Sequence, residues 1–188
     1  MALGWLLVAG LLPLGSPHVR VNAPELSALL QDGVRRSNTL AARVARLETS
    51  DLVVHIDYDR GPIRGIGGYV TFVTASGGWR YVRIRIQWEL SRPAQLAMLA
   101  HELQHAVEIA DAPEVTDEAS LAVLYSRIGL ERRGGACRSF ETRAAMASED
   151  QAIRELRLAP PTRVEAARDA PTPRHPGAKG TFSARNVH

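Results

Sequence analysis

Between Ser91 and Asp111 the chain carries two helical patterns at once, and together they constrain the fold more than any other stretch of the sequence. Leu96, Leu99, Leu103, Ala106, Val107 and Ala110 recur at spacings of three and four, the pattern of a helix that buries one face. His101 and His105 stand four apart in the same segment and fall on roughly the opposite side. Ser91 with Pro93 makes a helix start, and Ala112-Pro113 makes a stop. The spacing predicts a helix from about Arg92 to Asp111 that packs with its aliphatic side and presents the two histidines with the other.

Residues His101-Glu102-Leu103-Gln104-His105 form an HExxH motif. On a helix the two imidazoles sit one turn apart, about 40° around the axis, so they can converge on one cation. Glu102 lies about 100° round from His101, beside such a cation rather than on it. From there its carboxylate can hold an attacking water and take its proton. His101 and His105 are therefore candidate metal ligands, and Glu102 is the candidate catalytic base.

The stretch before this helix has a different texture. Asp51 to Asp57 is rich in β-branched residues, and Tyr69 to Thr74 is a second strand candidate. Ala75 to Gly78 has the composition of a hairpin turn. From Arg80 to Glu89 the pattern alternates, with Val82, Ile84, Ile86 and Trp88 on one side and Tyr81, Arg83, Arg85 and Gln87 on the other. The glycine run from Gly61 to Gly68 lacks the Gly-Lys-Ser/Thr ending of a phosphate loop. Helices are predicted at Pro24–Gln31 and Asn38–Leu47, from a Thr116 cap to Ile128 with Gly129 as its stop, and from about Arg138 to Leu158. The expectation is an α+β domain over 24–158, with a small antiparallel sheet of two to three strands followed by the histidine-bearing helix and further helices.

The two ends differ from this body. Leu3 to Leu14 is an apolar run too short to span a bilayer and suited to the core of a signal peptide, with cleavage after Ser16 or Ala23. That makes 1–23 a signal segment, predicts export to a periplasmic or extracellular space, and leaves no membrane span after cleavage. From Ala159 to His188 the composition is Pro, Ala, Arg and Gly without periodicity, which reads as a disordered tail. Five basic and two acidic residues in that tail account for the whole net charge of +3. A neutral body argues against nucleic acid as a partner. Cys137 is the only cysteine, which excludes an internal disulfide framework and a cysteine-rich zinc site.

The HExxH helix with a β-hairpin just upstream resembles the zincin metallopeptidases over about Asp51 to Leu158. The resemblance implies a Zn²⁺ cofactor and a peptide or protein substrate, laid against an edge strand that Arg80–Glu89 would supply. A metzincin continues to a Gly and a third His at the positions held here by Glu108 and Asp111, so that pattern is not met. A gluzincin-like site takes its third ligand from a later helix, often as ExxA. Glu141-Thr142-Arg143-Ala144 fits that pattern in the first turn of the last predicted helix, which makes Glu141 the expected third ligand. Glu108 and Glu118 are the alternatives, although Glu108 can instead hold a ligand histidine and Glu118 can serve a helix dipole. Tyr125 could stabilise an oxyanion, but Leu121, Leu124, Tyr125 and Ile128 form an apolar stripe that favours packing. His55, His175 and His188 have no predicted metal role. The second functional expectation is a non-catalytic exported zinc-binding or interaction module.

Overall fold

A computed structural model describes residues 18–61, 67–131 and 140–159. Cys137, His175 and His188 lie outside the described residues, as do 1–17, part of the glycine run, and the tail from 160 onward. The fold is α+β, as expected. The sheet departs from expectation: it is mixed and four-stranded, with order β1 (Val19–Val21), β2 (Leu52–Asp59), β4 (Trp79–Gln87), β3 (Gly68–Ser76). β1 and β4 run parallel to β2, and only β3 is antiparallel to its neighbour β4. The physical reason lies in the connections. Helices α1 (Pro24–Arg36) and α2 (Asn38–Glu48) stand between β1 and β2, and a crossover of that length returns a strand in the parallel sense. β1 falls inside the predicted signal segment, ahead of Ala23 and beyond Ser16.

The β3–β4 hairpin is as tight as its sequence suggests. Gly77 and Gly78 have φ of +60° and +80°, the left-handed values that a two-residue turn needs and that glycine adopts without strain. The alternation in β4 is observed: Val82, Ile84 and Ile86 are fully buried. Trp88 is not, because the strand ends at Gln87, and its side chain is 48% exposed. β4 pairs on both sides, so Arg80–Glu89 is an interior strand and not an edge. The edge on that side is β3.

The inward sheet face meets α3 (Arg92–Ala110), and α5 (Arg143–Leu158) covers the far side of α3. Ser148 Oγ donates to the Ala100 carbonyl at 3.0 Å and Thr142 Oγ1 to Glu108 at 2.6 Å, so α5 runs antiparallel along α3. This corrects the expected exposure of the histidine face. The aliphatic side of α3 does form core, but the opposite side is buried too, with His101 5%, Glu102 3% and His105 4% exposed. An α5 stripe of small side chains, including Ala145, Ser148 and Ala152, lets the helices approach.

Arg80 ends α3. Its guanidinium is 4% exposed, pairs with both Asp51 oxygens at 2.7 and 2.8 Å, and donates to the carbonyls of Ile109, Ala110 and Ala112 at 2.7 to 3.1 Å. Carbonyls at a helix end lack the full set of intrahelical partners, and here a side chain supplies donors to them and to the turn that follows. Asp111, the C-cap residue, is turned outward to Arg46. α4 (Glu118–Ile128) is capped by Asp117 rather than Thr116, because Asp117 and Ser120 form a reciprocal capping box. No helix among the described residues is long and apolar enough to cross a membrane.

Candidate metal centre

The local sequence places the two histidines by helix geometry alone. Four residues apart on α3, their rings stand edge to face with centroids 4.9 Å apart. The third candidate arrives from a distant part of the chain. β5 (Leu130–Glu131) and β6 (Phe140–Glu141) form a two-residue ribbon in which Glu141 pairs with Leu130. Glu141 is thus not in the first turn of the last helix, as the ExxA spacing predicts. Thr142 accepts from the Ala145 N–H at 3.0 Å, so the helix begins at Arg143 and Glu141 stands just ahead of the cap.

His101, His105 and Glu141 each offer a ligand atom, all within 4.8 Å of one another. Glu118, the first residue of α4, is exposed and outside this group. Glu108 has another role: its Oε2 takes the Nδ1 of His105 at 2.9 Å. His101 has the equivalent partner in Glu149, whose Oε2 is 3.0 Å from Nδ1. A carboxylate only accepts, so Nδ1 of each ring carries a hydrogen, and Nε2 is the atom that each ring would turn to a cation. Such carboxylate–histidine pairs fix ring orientation and tautomer at metal centres.

The sequence pattern missed Glu149. Its signal is its place on α5, two helical turns beyond Glu141 and on the side that faces α3. That inference needs the antiparallel pairing of α3 and α5, which no local pattern states. Glu149 also forms part of the wall of a cleft of about 420 Å³ lined by Leu90, Ala97, Met98, Ile153 and Leu156.

The charges in the site are set by burial and by one another. Burial drives the His101 imidazolium towards neutrality, but Glu141, Glu102 and Glu149 outweigh it and hold its pKa at about 9. His101 Nε2 lies 3.0 Å from Glu141 Oε2, a proton-mediated contact where a cation would otherwise bring the two together. Burial pushes Glu102 up to about 7 against the opposing pull of His105 and His101. Its Oε2 is buried and has no hydrogen-bond partner among the described residues. A buried carboxylate oxygen left unpaired beside two histidines suits a site built to receive something more than protein. The donor set of two imidazoles and a carboxylate suits zinc, and three protein ligands would leave an open position.

Tyr125 packs its ring edge-on to His105 at 5.4 Å and turns its hydroxyl to the His105 carbonyl at 3.4 Å. Burial, with Glu108 and Glu102 nearby, raises its pKa well above the ordinary phenol value. Its 6% exposure agrees with the packing role suggested by the apolar stripe. His55 sits on β2 between Arg20 and Arg83, away from the cluster, and burial followed by those two charges lowers its pKa. Comparison with protein families, with curated proteins and with solved structures gives no match.

Proposed function

We propose that the chain is a zinc-dependent hydrolase of peptide bonds, similar to the zincins in the way it would hold its metal. His101, His105 and Glu141 would hold the ion. One observation carries the reading: two histidines with carboxylate-held Nδ1 atoms lie with a third carboxylate within 4.8 Å, and next to them on α3 Glu102 has a buried oxygen with no partner among the described residues. When bound, zinc supplies Lewis acidity that polarises a carbonyl and makes water a nucleophile near neutral pH. Glu102, beside both histidines, would take a proton from the attacking water and return it to the leaving amine. Glu149 and Glu108 hold the rings.

Substrate would lie along β3. Among the described residues this strand has a sheet neighbour on one side only, and its first residue, Gly68, stands beside Glu102. An extended peptide can add to such an edge through backbone hydrogen bonds. The apolar run Leu3–Leu14 supports an exported location, where unfolded protein segments would be the substrates.

The 3% exposure of Glu102 favours a second reading, an exported module that holds zinc without turnover. Metal analysis and a peptidase assay separate the two. About one zinc per chain, lost in His105→Ala, with hydrolysis lost in Glu102→Gln and zinc kept, supports the enzyme. Bound zinc with no cleavage of any unfolded protein leaves the module. No zinc after reconstitution removes both.

A further inference from the structure

Thr142 carries more than a helix cap. Its Oγ1 accepts the Ala145 N–H at 3.0 Å and donates its own hydrogen to Glu108 Oε1 at 2.6 Å. The other Glu108 oxygen, Oε2, takes His105 Nδ1 at 2.9 Å. Glu108 uses one oxygen for each of its two bonds, and the relay is shielded: Thr142 is 2% exposed and the Glu108 side chain 9%. A capping threonine needs only to accept. The donated bond ties the start of α5 to the histidine helix, in addition to the Ser148 and Glu149 contacts further along.

The segment that makes this tie also bears Glu141. Its strand pairing with Leu130 fixes one side of Glu141 and the Thr142 cap fixes the other. The His101 side is different, because Glu149 sits seven residues into α5 with its side chain 32% exposed and opens on the cleft.

We propose that Thr142 is a positioning residue of the metal centre: through Glu108 it sets the orientation of His105, so that one two-residue segment places the third ligand and aims the second. This rests on the zinc-site reading above. It makes metal affinity and the start of α5 one linked equilibrium, since whatever pulls Glu141 inward also seats the hydroxyl that holds Glu108.

The test is the zinc dissociation constant of the purified protein, measured by competition with a chromophoric chelator, for four proteins. Thr142→Ser keeps both the accepted and the donated bond. Thr142→Val loses both. Thr142→Asp keeps the cap and loses the donor. Thermal melting of the metal-free proteins monitors the cap separately. Wild-type affinity within about 2-fold for Thr142→Ser, with affinity reduced about 10- to 100-fold in Thr142→Val and Thr142→Asp, is the expected result. Melting should fall in Thr142→Val through the lost cap, and in Thr142→Asp through the second carboxylate set against Glu108. Wild-type affinity in Thr142→Asp overturns the relay and leaves Thr142 as a cap, with the zinc site intact. For the metal-free state, the ¹⁵N shift of His105 Nδ1 is the second readout. It should move in Thr142→Val and Thr142→Asp and stay in Thr142→Ser; an unmoved shift overturns the relay even if the wild type takes up no zinc.

Discussion

Gly68 on β3 lies so close to Glu102 on α3 that a Cβ at that position would stand 3.0 Å from Glu102 Cγ. It would also stand 2.8 Å from Met98 Cγ and 3.1 Å from the Arg85 carbonyl oxygen. One of the three contacts is backbone, so the strand cannot simply move away from the helix. Gly68→Ala is expected to destabilise the protein by about 1–3 kcal/mol through overpacking. Urea unfolding would measure it. Combining it with Met98→Ala should recover part of the loss, and a strictly additive pair would show that Met98 is not the group that has to yield.

Zinc itself should act as a stabiliser. A ligand held by the folded chain and not by the unfolded one raises stability by mass action, about 2.7 kcal/mol at one hundred times its dissociation constant. The melting temperature of the metal-free protein should rise with added zinc and return with chelator. His105→Ala should abolish that response. A rise of the same size in His105→Ala would place the metal elsewhere.

The acid limb of stability should depend on Glu155. Its carboxylate accepts from Ser37 Oγ at 2.6 Å and from the Thr39 N–H and hydroxyl at 3.0 and 3.1 Å, closing the N-terminus of α2 from α5. Burial works to raise its pKa, but these bonds and that from Gln151 outweigh it and hold the value at about 2. The folded value is below the unfolded one, so the contribution is complete above the unfolded carboxylate value and is lost as pH falls from about 4.5 through about 2. Glu155→Gln is expected to cost about 1–2 kcal/mol at neutral pH, with a flatter decline below pH 4.5. Equal slopes for both proteins in urea midpoints against pH would rule out this role.

Arg80 should be among the costliest positions to change. It is buried, it neutralises Asp51, and it satisfies carbonyls at the end of α3. Arg80→Met removes the charge and leaves those buried acceptors in place, at an expected cost of about 1–3 kcal/mol. Arg80→Lys should recover only a little of it, since an ammonium has no fork to divide between a carboxylate and a helix end. Chemical denaturation of the two variants provides the comparison.

Much of this arrangement was legible one element at a time. The two histidines, their helix and the strand alternation in β4 follow from spacing, because a helix or strand places neighbours by fixed geometry. Glu141 was reached by pattern, yet its setting was not: the ExxA spacing implies a helical residue, and the Thr142 cap puts the helix start one residue too late for that. The sheet order was not legible either. Hydrophobic period says which face of a strand is buried and nothing about which strand lies beside it, so an interior β4 looked the same as an edge. The covering of the histidine face escaped for a related reason. Small residues such as Ala145 and Ser148 make room for a helix–helix contact without announcing it as a hydrophobic stripe.

The last helix closes two things at once, through Glu141 and Thr142 at its entrance and Glu155 near its end. In a chain made from its N-terminus, the sheet and α3 are complete well before either clasp exists. Until then the histidine pair has no third carboxylate, neither Nδ1 partner is locked in a relay or supplied by α5, and the start of α2 is uncapped from outside. If the site holds zinc as proposed, it is therefore completed late in the life of each molecule, and a chain cut short before Glu141 would carry the HExxH motif without its third carboxylate.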